Sequence, residues 1–445
     1  MGTAAETVNN KKIKDSFTMK IFTLLCAALG ENIYNGAARA SFWKELHARP
    51  GKSLFPALTC PAQATLRTAE LPAQHGMIAS GFYDRMLNKA FFWEQSANLY
   101  SGARIWKNFR KNGGKVGQIC LQQCPGRDSD FYLSPAPVHK HHGGMIQDFY
   151  CEPPELYRSI CKETGKKFDL MQYWGPLTSM KPTEWIAAAS VSMMKQLQEE
   201  KDVFLCAYLP ALDYAPQKFG PDSAQAKADF TKLEAVIGGL YAEAKQLGFE
   251  FVVSGDYEIT PVDTAVYPNR ILAEAGLLKL REVKGMFYPN FHSSTAFALT
   301  DHQICHVYIA DPEKIASVEK LLSGLPGIAR ISRREDLAAL NHSRSGELIL
   351  EAASNAWFAY PWWREKRNAP DYATHIDIHN KPGFDPLEMF MEIFPPLSIS
   401  QNASRIKGSH GRQGNVIFGS SFALDNDPAD FLQLAKSLKL ELDQA

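Results

Sequence analysis

The feature that most constrains the fold is an alternation between uninterrupted apolar runs and long amphipathic segments. Residues 21–29, 116–121, 203–209 and 249–253 are nearly continuous apolar stretches, the pattern of strands buried on both faces. Between and after them, residues 183–200 and 224–247 repeat Leu, Ile, Val and Ala at three- and four-residue spacing among charged positions, which predicts helices with one buried side. Strand and helix alternating in this way predict an α/β architecture, a mostly parallel sheet flanked by helices. A chain of 445 residues is long enough to bury a large core of this kind.

A different pattern begins near Phe287. Residues 304–309 read as a strand, 312–323 as a helix, 327–331 as a second strand and 346–351 as an alternating third. That order predicts a small α+β insertion over 287–363, within a core formed by 19–286 and 364–445. An amphipathic helix over 427–440 closes the core, and residues 1–18 form a polar N-terminal tail. The segment 19–30 has two readings, a short signal-type apolar region or a buried strand. Eleven or so apolar residues fall short of the about 20 needed to span a bilayer, and the strand reading is adopted.

Charge excludes some partners. Lys plus Arg and Asp plus Glu both number 48, so there is no basic footprint for nucleic acid or an anionic membrane surface. The eight cysteines include no C-x-x-C pair, and several sit within apolar runs. A reduced, cytoplasmic setting is expected.

One hydroxyl is placed for covalent chemistry. Thr59 stands just ahead of Cys60-Pro61, with Ala62 and Thr65 at helical spacing, so it falls at a turn into a helix, where free amides and the helix dipole attract phosphate. This segment, with Leu71-Pro72-Ala73-Gln74-His75-Gly76-Met77-Ile78 after it, resembles the T-x-P-x-x-x-T … P-x-x-H-G-I signature of the nucleotide pyrophosphatase/phosphodiesterase branch of the alkaline phosphatase superfamily. The resemblance implies an alkaline-phosphatase-like α/β fold and phosphate-ester hydrolysis with Thr59 as nucleophile. It also puts Ser80 forward as a donor to a phosphate oxygen, in the place where the family has an Asn.

The same resemblance implies a metal site on loops at the carboxyl ends of strands. Asp213 matches the aspartate of the D-x-x-x-H-x-x-G-P loop, with Gln217 at the histidine position. Asp256 matches the S-D-H-G-M loop, with Tyr257 at its histidine. His410 keeps its type in the late G-x-H-G loop, whereas Cys26-Ala27-Ala28-Leu29 replaces the family's Asp-Gly-Leu. Family chemistry rests on two zinc ions roughly 4 Å apart that clamp the attacking and leaving oxygens. With these replacements the expectation is a reduced set, Asp213, Gln217, Asp256, Tyr257 and His410, holding at most one divalent ion (Zn, Mn or Mg) and no organic cofactor.

Further segments resemble a bacterial subgroup of this branch. They include Asp301-His302-Gln303, Arg344-Ser345-Gly346-Glu347-Leu348, Asp377-Ile378-His379-Asn380-Lys381-Pro382-Gly383 and Gly408 to Arg412. They put His302, His379, Lys381 and Arg412 forward as substrate-binding. His302 and His306 also read as structural histidines, His375, Asp377 and His379 as neighbours on one strand face, and 357–363 as an aromatic core plug. The expected function is hydrolysis of a small phosphorylated metabolite through Thr59. The alternatives are a mutase, transferase or lyase, or a non-catalytic binding protein that has lost its metals.

Overall fold

The computed structural model describes residues 18–36, 39–393 and 398–445. The polar tail expected at 1–18 falls almost wholly outside these. The apolar runs form the middle of an eight-stranded sheet, in the order Arg49–Lys52, Asn415–Ser420, Glu250–Gly255, Lys20–Cys26, Val203–Leu209, Lys115–Ile119, Phe131–Pro135, Phe149–Glu152. Five neighbouring strands, from Glu250–Gly255 to Phe131–Pro135, are parallel, and antiparallel pairing appears only toward the edges. Lys20–Cys26 lies near the centre, paired from Lys20 to Cys26 on one side and from Ile21 to Cys26 on the other. Every residue from Ile21 to Gly30 is buried, which explains the uninterrupted apolar run and gives this segment a strand's place.

Helices Lys181–Gln196 and Ala224–Gln246 pack against the sheet and each other, contributing Trp185, Ile186, Met193, Leu233, Ile237 and Leu240 to one core. The C-terminal helix runs over Phe431–Gln444, four residues beyond the expected start, because the Asp430 side chain accepts from the Gln433 amide and sets the cap there. Such a cap fixes where a helix begins more firmly than its apolar spacing does.

The second region contains a four-stranded antiparallel sheet, in the order Ala296–Asp301, Ile304–Ile309, Leu348–Ala352, Ile328–Arg333, with the helix Ile315–Ser323 on it. Its first strand was not foreseen. A two-residue turn, His302-Gln303, joins that strand to the next, and His302 takes the left-handed backbone region (φ 58°). This geometry separates His302 from His306: His302 lies in the turn, while His306 is buried on the following strand, where Nδ1 accepts from the Gly346 amide. Trp357, Phe358, Tyr360, Trp362 and Trp363 are buried among the apolar side chains around this sheet. No described helix is long and apolar enough to cross a membrane.

Candidate active site

The carboxyl ends of the parallel strands open onto a cavity of about 450 Å³. The chain leaving Lys20–Cys26 crosses directly over Gly255, where a Cβ would stand 2.3 Å from the Leu29 carbonyl oxygen. This close crossing brings the Ala28 amide onto Asp256. Thr59, Tyr208, Asp213, Tyr257, His302 and His410 line the cavity floor, contributed by five separate stretches of chain.

Thr59 is the first residue of the helix Thr59–Thr68, all ten residues of which are buried. Leu58, the N-cap, is extended and offers no side-chain cap. The amides of Thr59 and Cys60 precede any intrahelical acceptor and Pro61 carries no N–H, so the helix end retains its donor character. Tyr208 lines the floor with Thr59, and burial drives its hydroxyl well above the usual range. Buried Arg67 ties the helix to the neighbouring loop by donating to the Gln63 and Gln123 carbonyls and to Gln118 Oε1.

Asp213 is the centre of the opposite side. Its Oδ1 accepts from the Tyr257 hydroxyl at 2.8 Å and from Gln217 Nε2 at 2.8 Å. Gln217 Nε2 also donates to the Asp213 carbonyl at 2.8 Å. Both partners are pure acceptors, so the nitrogen of the amide must face them. Burial pushes the Asp213 carboxyl up to about 6, against the lowering effect of its two donors. Tyr257 lies flat on His410, ring centroids 3.5 Å apart and planes at 4°, and burial together with the Asp213 charge drives its hydroxyl well above the usual range. The Nδ1–H of His410 points to the Ala57 carbonyl at 2.8 Å, and Nε2 lies 3.9 Å from Asp213 Oδ1. His302 packs on His410 and on Phe384, each with centroids 3.7 Å apart. Its Nδ1 is 2.7 Å from Asp301 Oδ1, and Nε2 is buried without a partner. Burial pushes both imidazoles well below their ordinary pKa.

The remaining predicted residues are placed around this floor rather than on it. Asp256 is fully buried; its Oδ1 accepts from the Ala28 and Tyr257 amides and burial raises its carboxyl well above the carboxylate range. Ser80 is buried, and its amide holds Asp301 Oδ2 at 2.7 Å. His379 lines the cavity and points Nδ1 to the Phe92 carbonyl at 3.0 Å. The strand expected through His375, Asp377 and His379 is instead a turn, because Asp377 Oδ1 captures the Asn380 amide. Lys381 and Arg412 do not line the cavity. Lys381 is fully buried, with Nζ on Asp385 (2.8 Å), Glu388 (2.7 Å) and the His375 carbonyl (2.9 Å). Arg412 donates to the Ala352 carbonyl.

Sequence reasoning missed the cavity wall. Trp93, Tyr173, Trp174 and Phe384 form it, with Trp174 held by its Nε1 on Glu388 Oε2 at 2.6 Å. These aromatics come from three distant segments. Tyr208 had a faint signal, as the one hydroxyl in the apolar run Val203–Leu209.

The family model for type I phosphodiesterase/nucleotide pyrophosphatase matches residues 40–385. The chain belongs to that family of phosphate-ester hydrolases. No curated protein matches it by sequence. Among solved structures it is similar to phosphonoacetate hydrolase from Sinorhizobium meliloti in complex with phosphonoacetate, at 15% identity and a TM-score of 0.64, with 96% of each chain covered. It is also similar to murine ectonucleotide pyrophosphatase/phosphodiesterase 5 in complex with AMP, at 13% identity and a TM-score of 0.59, covering 96% of this chain and 95% of that one. The fold is thus that of the alkaline phosphatase superfamily.

Family members typically depend on divalent zinc, and the residues present do not fit such a pair. A single ion on Asp213, Gln217 and His410 needs the Gln217 oxygen, but the amide nitrogen faces Asp213. Ligation by Tyr257 needs a phenolate, which burial opposes. At the second position Asp256 Oδ1 is taken by the Ala28 and Tyr257 amides and burial disfavours its charged form, and Ala27 and Ala28 supply no carboxylate. Among the described residues, no group of three or more His, Cys, Asp or Glu is placed to hold a metal ion.

Proposed function

We propose that the chain hydrolyses a phosphate ester of a small metabolite with Thr59 Oγ as nucleophile. The observation that carries this reading is the position of Thr59, on the uncapped first turn of a buried helix at the cavity floor. In the first step the Thr59 Oγ–P bond forms as the ester P–O bond breaks, and the leaving group departs as an alcohol. Water then cleaves the phosphoryl-threonine. The Thr59 and Cys60 amides hold phosphate oxygens against the helix end. Asp213, with a pKa of about 6, can carry a proton near neutrality.

Tyr257 and Gln217 position Asp213, and Ser80 acts from beneath by holding Asp301 against His302. His302, His379 and His410 face the substrate. Residues 287–363 are then an insertion that carries Asp301 and His302 to the cavity. The murine relative supports the reading: its AMP complex is of an inactive variant with one threonine changed to alanine, and we take Thr59 as the counterpart.

The test is a panel of aryl phosphodiesters and monoesters given to wild type and Thr59→Ala. Turnover present in the first and lost in the second is expected. Equal rates in both would overturn the role of Thr59.

A further inference from the structure

A second cavity, of about 120 Å³, shares no lining residue with the active-site cavity. The buried chain Asp385, Lys381, Glu388, Trp174 runs between the two: Asp385 lines the second cavity and Trp174 the first. Trp357, Tyr360 and Trp363 line the second cavity and are only 2%, 2% and 5% exposed. Trp363 is fixed by its Nε1 on Gln401 Oε1 at 3.1 Å, and the Tyr360 carbonyl by Asn269 Nδ2 at 3.2 Å. The aromatic space is therefore preformed. An apolar cavity of about 150 Å³ in another protein holds one benzene ring, so this one has room for a single small ring and is too small to enclose a nucleoside.

The same cavity carries a cation without an anion. Arg270 stacks on Tyr267, its Cζ 3.5 Å from the ring centroid, and commits Nε to the Trp363 carbonyl at 2.9 Å. Two carboxylates stand close by, and both are engaged elsewhere: Glu274 with Arg364 at 2.6 Å and Asp385 with Lys381 at 2.8 Å. Among the described residues no carboxylate pairs with Arg270, which is half-buried, and burial pulls its pKa below the ordinary guanidinium value. Lys366 adds an exposed positive charge to the lining.

We propose that this cavity is a second binding site, for a small monocarboxylate whose body is a single apolar ring. The proposal goes beyond the phosphoesterase reading and does not depend on it. The planar fork of a guanidinium matches a carboxylate, so the ligand supplies Arg270 with the partner it lacks. Lys366 adds long-range attraction for an anion. The ring displaces water from Trp357, Tyr360 and Trp363 and meets aromatic faces and edges there. Charge and ring are both needed: a neutral ligand leaves Arg270 unpaired, and a carboxylate without a ring leaves the aromatic space unfilled.

Benzoate is the probe, compared with acetate, which lacks the ring, and benzamide, which lacks the charge. Binding to the full chain is measured by calorimetry at neutral pH and constant ionic strength. Benzoate should bind with a Kd of about 1 mM or tighter, and acetate and benzamide each at least about tenfold more weakly. Arg270→Met should weaken benzoate at least about tenfold. Ala403→Leu, which fills the cavity from a half-buried position in its lining and leaves Arg270 in place, should weaken it by about the same factor. Both variants are checked for an unaltered circular dichroism spectrum and melting temperature. Should Arg270→Met unfold through loss of its bond to the Trp363 carbonyl, Ala403→Leu and the two truncated probes decide. No binding of benzoate, acetate or benzamide binding as tightly as benzoate, or an unchanged benzoate Kd in either folded variant would each overturn the proposal.

Discussion

The two sides of the cavity floor have diverged from the family to different degrees. On the helix side, Thr59, Pro61 and Thr65 fit the signature, the helix is buried throughout, and its first turn keeps free amides. On the strand-end side, the positions that would carry ions instead hold a closed set of hydrogen bonds around Asp213, with Tyr257 flat on His410. A carboxylate that has lost its cation must find donors or take up a proton. Here Asp213 has found two side-chain donors and Asp256 two backbone amides. On the function we propose, the difference teaches that a catalytic fold can keep its nucleophile while neutral groups take over the space of its metals.

The largest effect that would break this contrast is on the helix side. Thr59→Ala should lower turnover of an aryl phosphodiester by about a thousandfold or more, while loss of one hydroxyl costs only about 1 kcal/mol of stability. Steady-state rates together with thermal melting check both halves. Next comes the wall. Lys381→Met leaves Asp385 and Glu388 buried without their cation, and should destabilise by about 3–5 kcal/mol, read by denaturant unfolding.

Acid should discriminate by the sign of its effect. Burial lowers His75 to about 3 and His306 to about 4, so between these values and about 6.5 the unfolded chain binds protons that the native chain does not. Stability should therefore rise with pH up to about 6.5 and be lost below it, by roughly 1.4 kcal/mol per pH unit for each such histidine. Asp213 and Asp301, both raised to about 6, act in the opposite direction between about 4 and 6 and cancel the two histidines there, so the contribution of His306 is read as the difference in slope between wild type and variant. His306→Gln should lower the slope of stability against pH between about 4 and 6.5 by roughly 1.4 kcal/mol per pH unit, as measured by urea unfolding at a series of pH values. An unchanged slope would mean that His306 is protonated in the native state.

A smaller effect sharpens the strand-end side. Gln217→His with Tyr257→His should raise zinc affinity, since neutral imidazole is a far better zinc ligand than an amide or a phenol. Little new activity on a generic aryl phosphodiester is expected, because Ala27 and Ala28 still supply no carboxylate for a second ion. Elemental analysis and the same rate assay read the two outcomes.

The main sheet and its flanking helices could be read from the sequence because buried parallel strands declare themselves as unbroken apolar runs. Thr59, Asp213, Tyr257 and His410 were legible through the family motifs they match, and the structure brings these four together at the carboxyl ends of the parallel strands, with Asp256 buried beside them. The aromatic wall was not, since Trp93, Trp174 and Phe384 meet only through tertiary packing. Nor was the setting of Lys381, whose partners Asp385 and Glu388 lie four and seven residues on, a spacing equally suited to a solvated face. The strand foreseen through Asp377 gave way to a turn because one side-chain hydrogen bond to a nearby amide outcompetes weak alternation.

Attack by Thr59 without a metal pair is most directly tested by trapping the covalent species. Protein dialysed against EDTA is mixed with an aryl phosphodiester, quenched in acid during the first turnover, digested and analysed by mass spectrometry. A phosphoryl adduct on the peptide carrying Thr59, formed at the same rate with or without added Zn²⁺, is the predicted result. Product release with no adduct on Thr59, or an adduct that forms only after zinc is restored, would contradict it.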